Sequence, residues 1–151
     1  MRIARLSVFL LIGLFFLSSC SSSHTDTLDV GRNIASSLGD GVRVYYSLAD
    51  ETDDEFLSDD IRLAVFGDDD NAPRNFTLIL SARADSVVEI GIFLASSRSM
   101  ALELSEFCLM RIHKIEKLTG AVGEVMIEGD LVIYYVTDTE DDLERIIRSS
   151  V

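Results

Sequence analysis

The chain has 151 residues, with 13 basic and 26 acidic side chains and a formal charge of −13. That length suits one domain, with enough chain to bury a core that needs no covalent staples. Its two lysines, Lys114 and Lys117, and scattered arginines form no basic cluster. This excludes nucleic acid as a partner, because phosphate contacts require grouped cations.

Met1, Arg2 and Arg5 make a short cationic start, and Leu6 to Leu17 follow as an apolar run interrupted by Ser7 and Gly13. A membrane-spanning helix needs roughly 20 apolar residues, whereas a run of about a dozen suits the core of a signal peptide. The run ends in Leu17-Ser18-Ser19-Cys20. This order of features resembles a bacterial lipoprotein signal. The resemblance implies that residues 1–19 are removed and that Cys20 is lipidated on sulfur to become the first residue of an extracytoplasmic, membrane-anchored chain. One acyl chain holds a protein to a bilayer only marginally, so two or three would be required. Residues 20–27, with Ser21, Ser22, Ser23, His24 and Thr25, then read as a flexible tether. The leader takes two arginines and no acid with it. The remaining domain is therefore more acidic than the whole chain and is weakly repelled by an anionic membrane surface.

Residues 28–151 read as a single domain. "TLDVGRNIASSL", Thr27 to Leu38, spaces Leu28, Ile34 and Leu38 for a short amphipathic helix ended by Gly39 and Gly41, although Gly31 interrupts it. Val42 to Leu48 alternates as a short strand or extended segment. Phe56, Leu57, Ile61, Ala64, Val65 and Phe66 recur at helical spacing up to Gly67, and Asp68 to Pro73 is a loop by composition. Phe76 to Leu80 and Val87 to Leu94 read as strands around a polar turn at Ala82 to Ser86. From Met100 to Leu118 a long helix places Met100, Leu104, Phe107, Cys108, Ile112, Ile115 and Leu118 on one face. Gly129-Asp130 between Glu124–Glu128 and Leu131–Thr137 marks a tight hairpin. Thr139, three residues before Asp142, suggests a cap for a final helix containing Leu143, Ile146 and Ile147. The expected fold is α+β: a β-β-α-β-β-α core after one or two N-terminal helices. It would form two layers, with helices on one face of a mostly antiparallel sheet of about four strands.

Asp54 to Gly67, Glu89-Ile90-Gly91-Ile92-Phe93 and Gly129 to Asp138 follow one another in an order similar to that of small lipoproteins of clostridial and related bacteria that carry a domain of unknown function. Leu94-Ala95-Ser96 departs from the lysine-led polar turn expected there. The resemblance implies the same address and fold and brings no activity with it.

No catalytic set, cofactor fingerprint or metal-ligand pattern emerges, so the expectation is no catalytic, cofactor-binding or metal-binding residue and one modified residue, Cys20. Cys108 lies in the apolar pattern of the long helix and reads as a small core hydrophobe. His113 could pair with Glu106 or Glu116 but stands among Lys114, Glu116 and Lys117, a solvated helix face. Asp68-Asp69-Asp70-Asn71 invites a calcium reading, yet the sixth position is Pro73 rather than glycine and no late glutamate follows. Asp53, Asp54, Asp59 and Asp60 would be needed for a looser site. Each strand pair Tyr45-Tyr46 and Tyr134-Tyr135 should turn one ring away from the core, where it could help form a binding surface, although ordinary strand propensity also accounts for these tyrosines. Two functions stay open. One is a non-catalytic envelope module that binds an envelope protein or other component, and the other is a small extracytoplasmic enzyme that uses acidic residues.

Overall fold

The computed structural model describes residues 26–67, 73–139 and 142–151. The helices are α1 (Thr27–Leu38), α2 (Asp59–Phe66), α3 (Arg98–Thr119) and α4 (Leu143–Arg148). The strands are β1 (Val42–Tyr46), β2 (Phe76–Ser81), β3 (Val88–Leu94), β4 (Val122–Glu128) and β5 (Leu131–Thr137). They form one antiparallel sheet in the order β1-β2-β3-β5-β4. The class is α+β, as the alternation of elements implied.

Two finer expectations are corrected. The sheet has five strands rather than about four, because Val42–Tyr46 pairs along its whole length with β2. Helices also cover both faces rather than one. In β2, β3 and β5 the residues of both parities are apolar. Phe76, Leu78, Phe93, Val132, Tyr134 and Val136 pack under α2 and α3. Ile79, Ile90, Ile92, Leu131, Ile133 and Tyr135 pack under α1 and α4. Side chains alternate between faces along a strand, so a continuous apolar run needs a cover on each side. For the same reason Tyr134 and Tyr135 are both buried, and neither forms the surface ring expected of that pair.

Local chemistry sets the helix ends. The Asp26 carboxylate accepts from Leu28 N–H, Ser58 Oγ from Ile61 N–H and Ser97 Oγ from Met100 N–H, satisfying donors that have no partner inside the helix. Ser58 delays α2, so Phe56 lies outside it and bridges β1 at Tyr46 instead. Asp142, not Thr139, caps α4 by accepting from Arg145 N–H. Thr27, expected in the tether, is fully buried at the start of α1. On the long helix, Leu104, Cys108, Ile112 and Ile115 are buried as the spacing predicts. Met100 and Leu118 sit at its ends and are exposed, at 41% and 78%. The short α2 is held by its last turn. Phe66 meets Phe76 edge-on at 4.7 Å between ring centres and stacks on Phe107 at 5.4 Å. Burial of such a ring contributes roughly 1.5–3 kcal/mol.

On the other face α1 rests directly on β2. Thr77 Oγ1 donates to Thr27 Oγ1 at 3.2 Å, and Thr27 Oγ1 donates to Asn75 Oδ1 at 3.1 Å. The glycine that interrupts the helical pattern makes this approach possible, since a Cβ on Gly31 would lie 2.5 Å from Thr77 Cγ2. Gly31→Ala should therefore destabilise the protein by about 1–3 kcal/mol through overpacking. In a Thr77→Ser background, which removes that methyl and keeps the hydroxyl, the same change should turn neutral or stabilising by up to about 1 kcal/mol through helix propensity. Urea denaturation of the four variants measures the reversal.

Candidate functional site

The fold places one carboxylate inside the α2/α3 layer. Glu89 occupies the second position of β3 on the face that also carries Gly91 and Phe93, and it is only 9% exposed. Gly91 pairs with Tyr134 of β5. A Cβ there would sit 2.2 Å from Cε1 of the Tyr134 ring, so the absence of a side chain lets the ring lie across β3. Its hydroxyl then reaches Glu89 Oε1, to which it donates at 2.5 Å.

Arg111 of α3 closes the set. Its Nε donates to Glu89 Oε1 at 2.7 Å and its Nη2 to Oε2 at 2.8 Å, a two-pronged pair with both side chains 12% exposed. Nη1 donates to the carbonyl of Ala64 at 3.1 Å. One guanidinium thus joins α3 to β3 and to α2. Desolvation works against the charge on Arg111, but the Glu89 carboxylate outweighs it and holds the proton more firmly than usual. Burial first, and the Glu89 charge second, push the Tyr134 hydroxyl well above its ordinary range. The phenol therefore stays a neutral donor.

Outside this cluster lies a groove of about 340 Å³ between the β2–β3 turn and the C-terminal half of α3. Leu80, Val87, Ile115 and Leu118 give it apolar walls, Lys114 supplies a cation, and Glu89 and Arg111 also line it. The turn beside it is fixed by a Ser81–Ser86 hydroxyl contact of 2.9 Å and an Arg83–Asp85 fork at 3.0 and 2.9 Å. The groove's one carboxylate already accepts from Arg111 and Tyr134. The groove therefore sets apolar walls beside the Lys114 cation.

The residues singled out in the sequence fall elsewhere. Cys20 and the Asp68 to Asn71 loop lie outside the described residues. Among the described residues no cluster of three or more His, Cys, Asp or Glu side chains is placed to hold a metal, and no helix is long and apolar enough to cross a membrane. His113 is exposed on α3. Cys108 is completely buried, as a core hydrophobe should be, and burial raises its thiol from 9.0 to about 12. Glu89 belongs to the Glu89–Phe93 strand motif and Tyr134 to the Tyr134-Tyr135 pair, whereas Arg111 belongs to no motif. What the sequence did offer was one acid inside an otherwise apolar strand and one arginine beside the buried stripe of α3.

Both raised groups have the same consequence for stability. Above pH 9 the unfolded thiol loses its proton while the folded one keeps it until about pH 12, and Tyr134 behaves likewise above pH 10. The folded state then binds more protons, so stability falls as pH rises, by about 1.4 kcal/mol per pH unit for each such group. Thermal melts from pH 8 to 11 should show Tm declining from about pH 9, with a shallower slope in Cys108→Ala. Equal slopes in the two proteins would contradict the assignment.

In comparisons with known proteins, no family model, no curated protein and no solved structure matches the chain.

Proposed function

We propose that this protein is a lipid-anchored lipoprotein of the bacterial cell envelope. Its α+β domain is a non-catalytic binding module that receives an envelope component in the groove between the β2–β3 turn and α3. The address rests on the order of the leader: cationic start, apolar run of about a dozen residues, then Leu17-Ser18-Ser19-Cys20. A layout similar to that of small clostridial lipoproteins is a further support for that address. One observation carries the binding reading. The groove pairs apolar walls with Lys114, while its carboxylate is engaged by Arg111 and Tyr134. An apolar segment bearing an acidic group fits such a surface.

Crosslinking from native membranes tests both halves of the proposal in one preparation. The recovered wild-type chain should begin at Cys20 and carry a mass increment for its lipid, whereas Cys20→Ser should retain Met1. A specific partner recovered with wild type should be lost with Leu118→Glu, which puts charge on the groove wall at a position 78% exposed and so spares the fold. An unlipidated mature chain refutes the address. A partner that Leu118→Glu leaves in place refutes the groove.

A further inference from the structure

We infer that β4 is a pairing edge through which two copies of this chain join, antiparallel about Val125, into one continuous sheet. The order β1-β2-β3-β5-β4 leaves two edges. The β1 edge is partly occupied, since Tyr46 N–H donates to the Glu55 carbonyl at 2.8 Å and Phe56 bridges beside it. Along β4, among the described residues, no backbone bond beyond the β5 ladder is made. Unpaired edge groups of this kind are a template for another strand.

The register identifies which groups are open. Asp138 N–H donates to the Val87 carbonyl at 3.1 Å, continuing the β3–β5 ladder. Even-numbered residues of β5 therefore bond to β3 and odd-numbered ones to β4, because bonded pairs alternate in an antiparallel ladder. Their partners on β4 are Val122, Glu124, Met126 and Glu128. The tight Gly129-Asp130 turn agrees. Gly129 has φ of 60° and Asp130 no positive φ, a two-residue loop that closes on the bonded pair Glu128–Leu131. The N–H and C=O of Gly123, Val125 and Ile127 are left pointing outward.

A second copy presents the same six groups, and the side chains select how the two would meet. Sliding the partner one step places Gly123 opposite Val125 but sets Glu124 against Glu124 of the second copy. Sliding it the other way sets Glu124 against Glu128. Like charges directly opposite destabilise a strand pair. With Val125 opposite itself neither clash occurs. Glu124 then faces Met126, and Glu128 faces Val122. Ile127, 49% exposed, lies opposite Gly123, which has no side chain to obstruct it, and Val122, 66% exposed, is covered. Val125 meets its own copy on the axis, and every other pair occurs twice, as a two-fold interface requires.

Sedimentation of the full chain in density-matched detergent, from about 1 μM to about 1 mM, tests this. Wild type should reach the mass of two chains. Val122→Glu, opposite Glu128 of the second copy, should weaken association roughly two- to tenfold, and Val122→Lys should tighten it by a similar factor. Leu48→Glu and Leu48→Lys, exposed just after β1 at the other edge, carry the same charge changes and should do neither. Val125→Pro removes an outward N–H, along with some packing of the half-buried Val125 side chain against the α2/α3 core, and should give one chain with an unchanged far-ultraviolet spectrum. If that variant misfolds, the Val122 pair decides. A single chain at every concentration overturns the inference. So do a dimer that survives Val125→Pro and Leu48 variants that shift association as strongly as the Val122 pair.

Discussion

The Glu89 carboxylate is the point on which the α2/α3 layer depends. Strand β3 carries it, Tyr134 reaches it across Gly91 from β5, and Arg111 grips it from α3 while holding a carbonyl of α2. A buried ion pair is not in itself a source of stability, because desolvating both charges offsets much of their attraction. What it does impose is geometry. Removing either partner would strand a charge in an apolar setting, at a cost of about 3–5 kcal/mol. The helix, the two strands and the short α2 are therefore committed to one arrangement. Among the described residues the α1/α4 layer on the opposite face has no such buried ion pair and relies on aliphatic packing, the Thr27–Thr77 contact and surface pairs such as Arg148 with Glu128 and Glu144.

Much of this fold was legible in local chemistry. Gly129-Asp130 announced its hairpin, and the spacing of Leu104, Cys108, Ile112 and Ile115 the buried stripe. The layering differs from the one-faced expectation, and "FTLIL" and "LVIYYV" carry the signal for it. Both parities of those strands are apolar, which an antiparallel sheet with one wet face does not tolerate. The Glu89 cluster was harder to foresee. Its members are 22 and 45 residues apart in pairs with Glu89, and each has an ordinary local reading as a strand acid, a strand tyrosine or a helix arginine. Only the glycine two residues after Glu89 hinted at a ring lying across the strand.

The same physics bears on function. The groove's one carboxylate is bonded by both Arg111 and Tyr134, the observation on which the proposed recognition role rests. If the chain is anchored as proposed, it meets its partners in two dimensions, where a modest surface gains from the raised effective concentration. On the proposed address, the net acidity of the chain would also tend to repel an anionic bilayer surface.

The central claim is that Glu89 and Arg111 hold one helical layer to the sheet independently of the other. Hydrogen exchange of Arg111→Met beside the wild type tests it most directly. The account predicts faster exchange of α2 amides from Arg62 to Phe66 and loosening of α3, with α1 from Val30 to Leu38 keeping its wild-type protection. Equal loss of protection in α1 and α2, or none in α2, would contradict it.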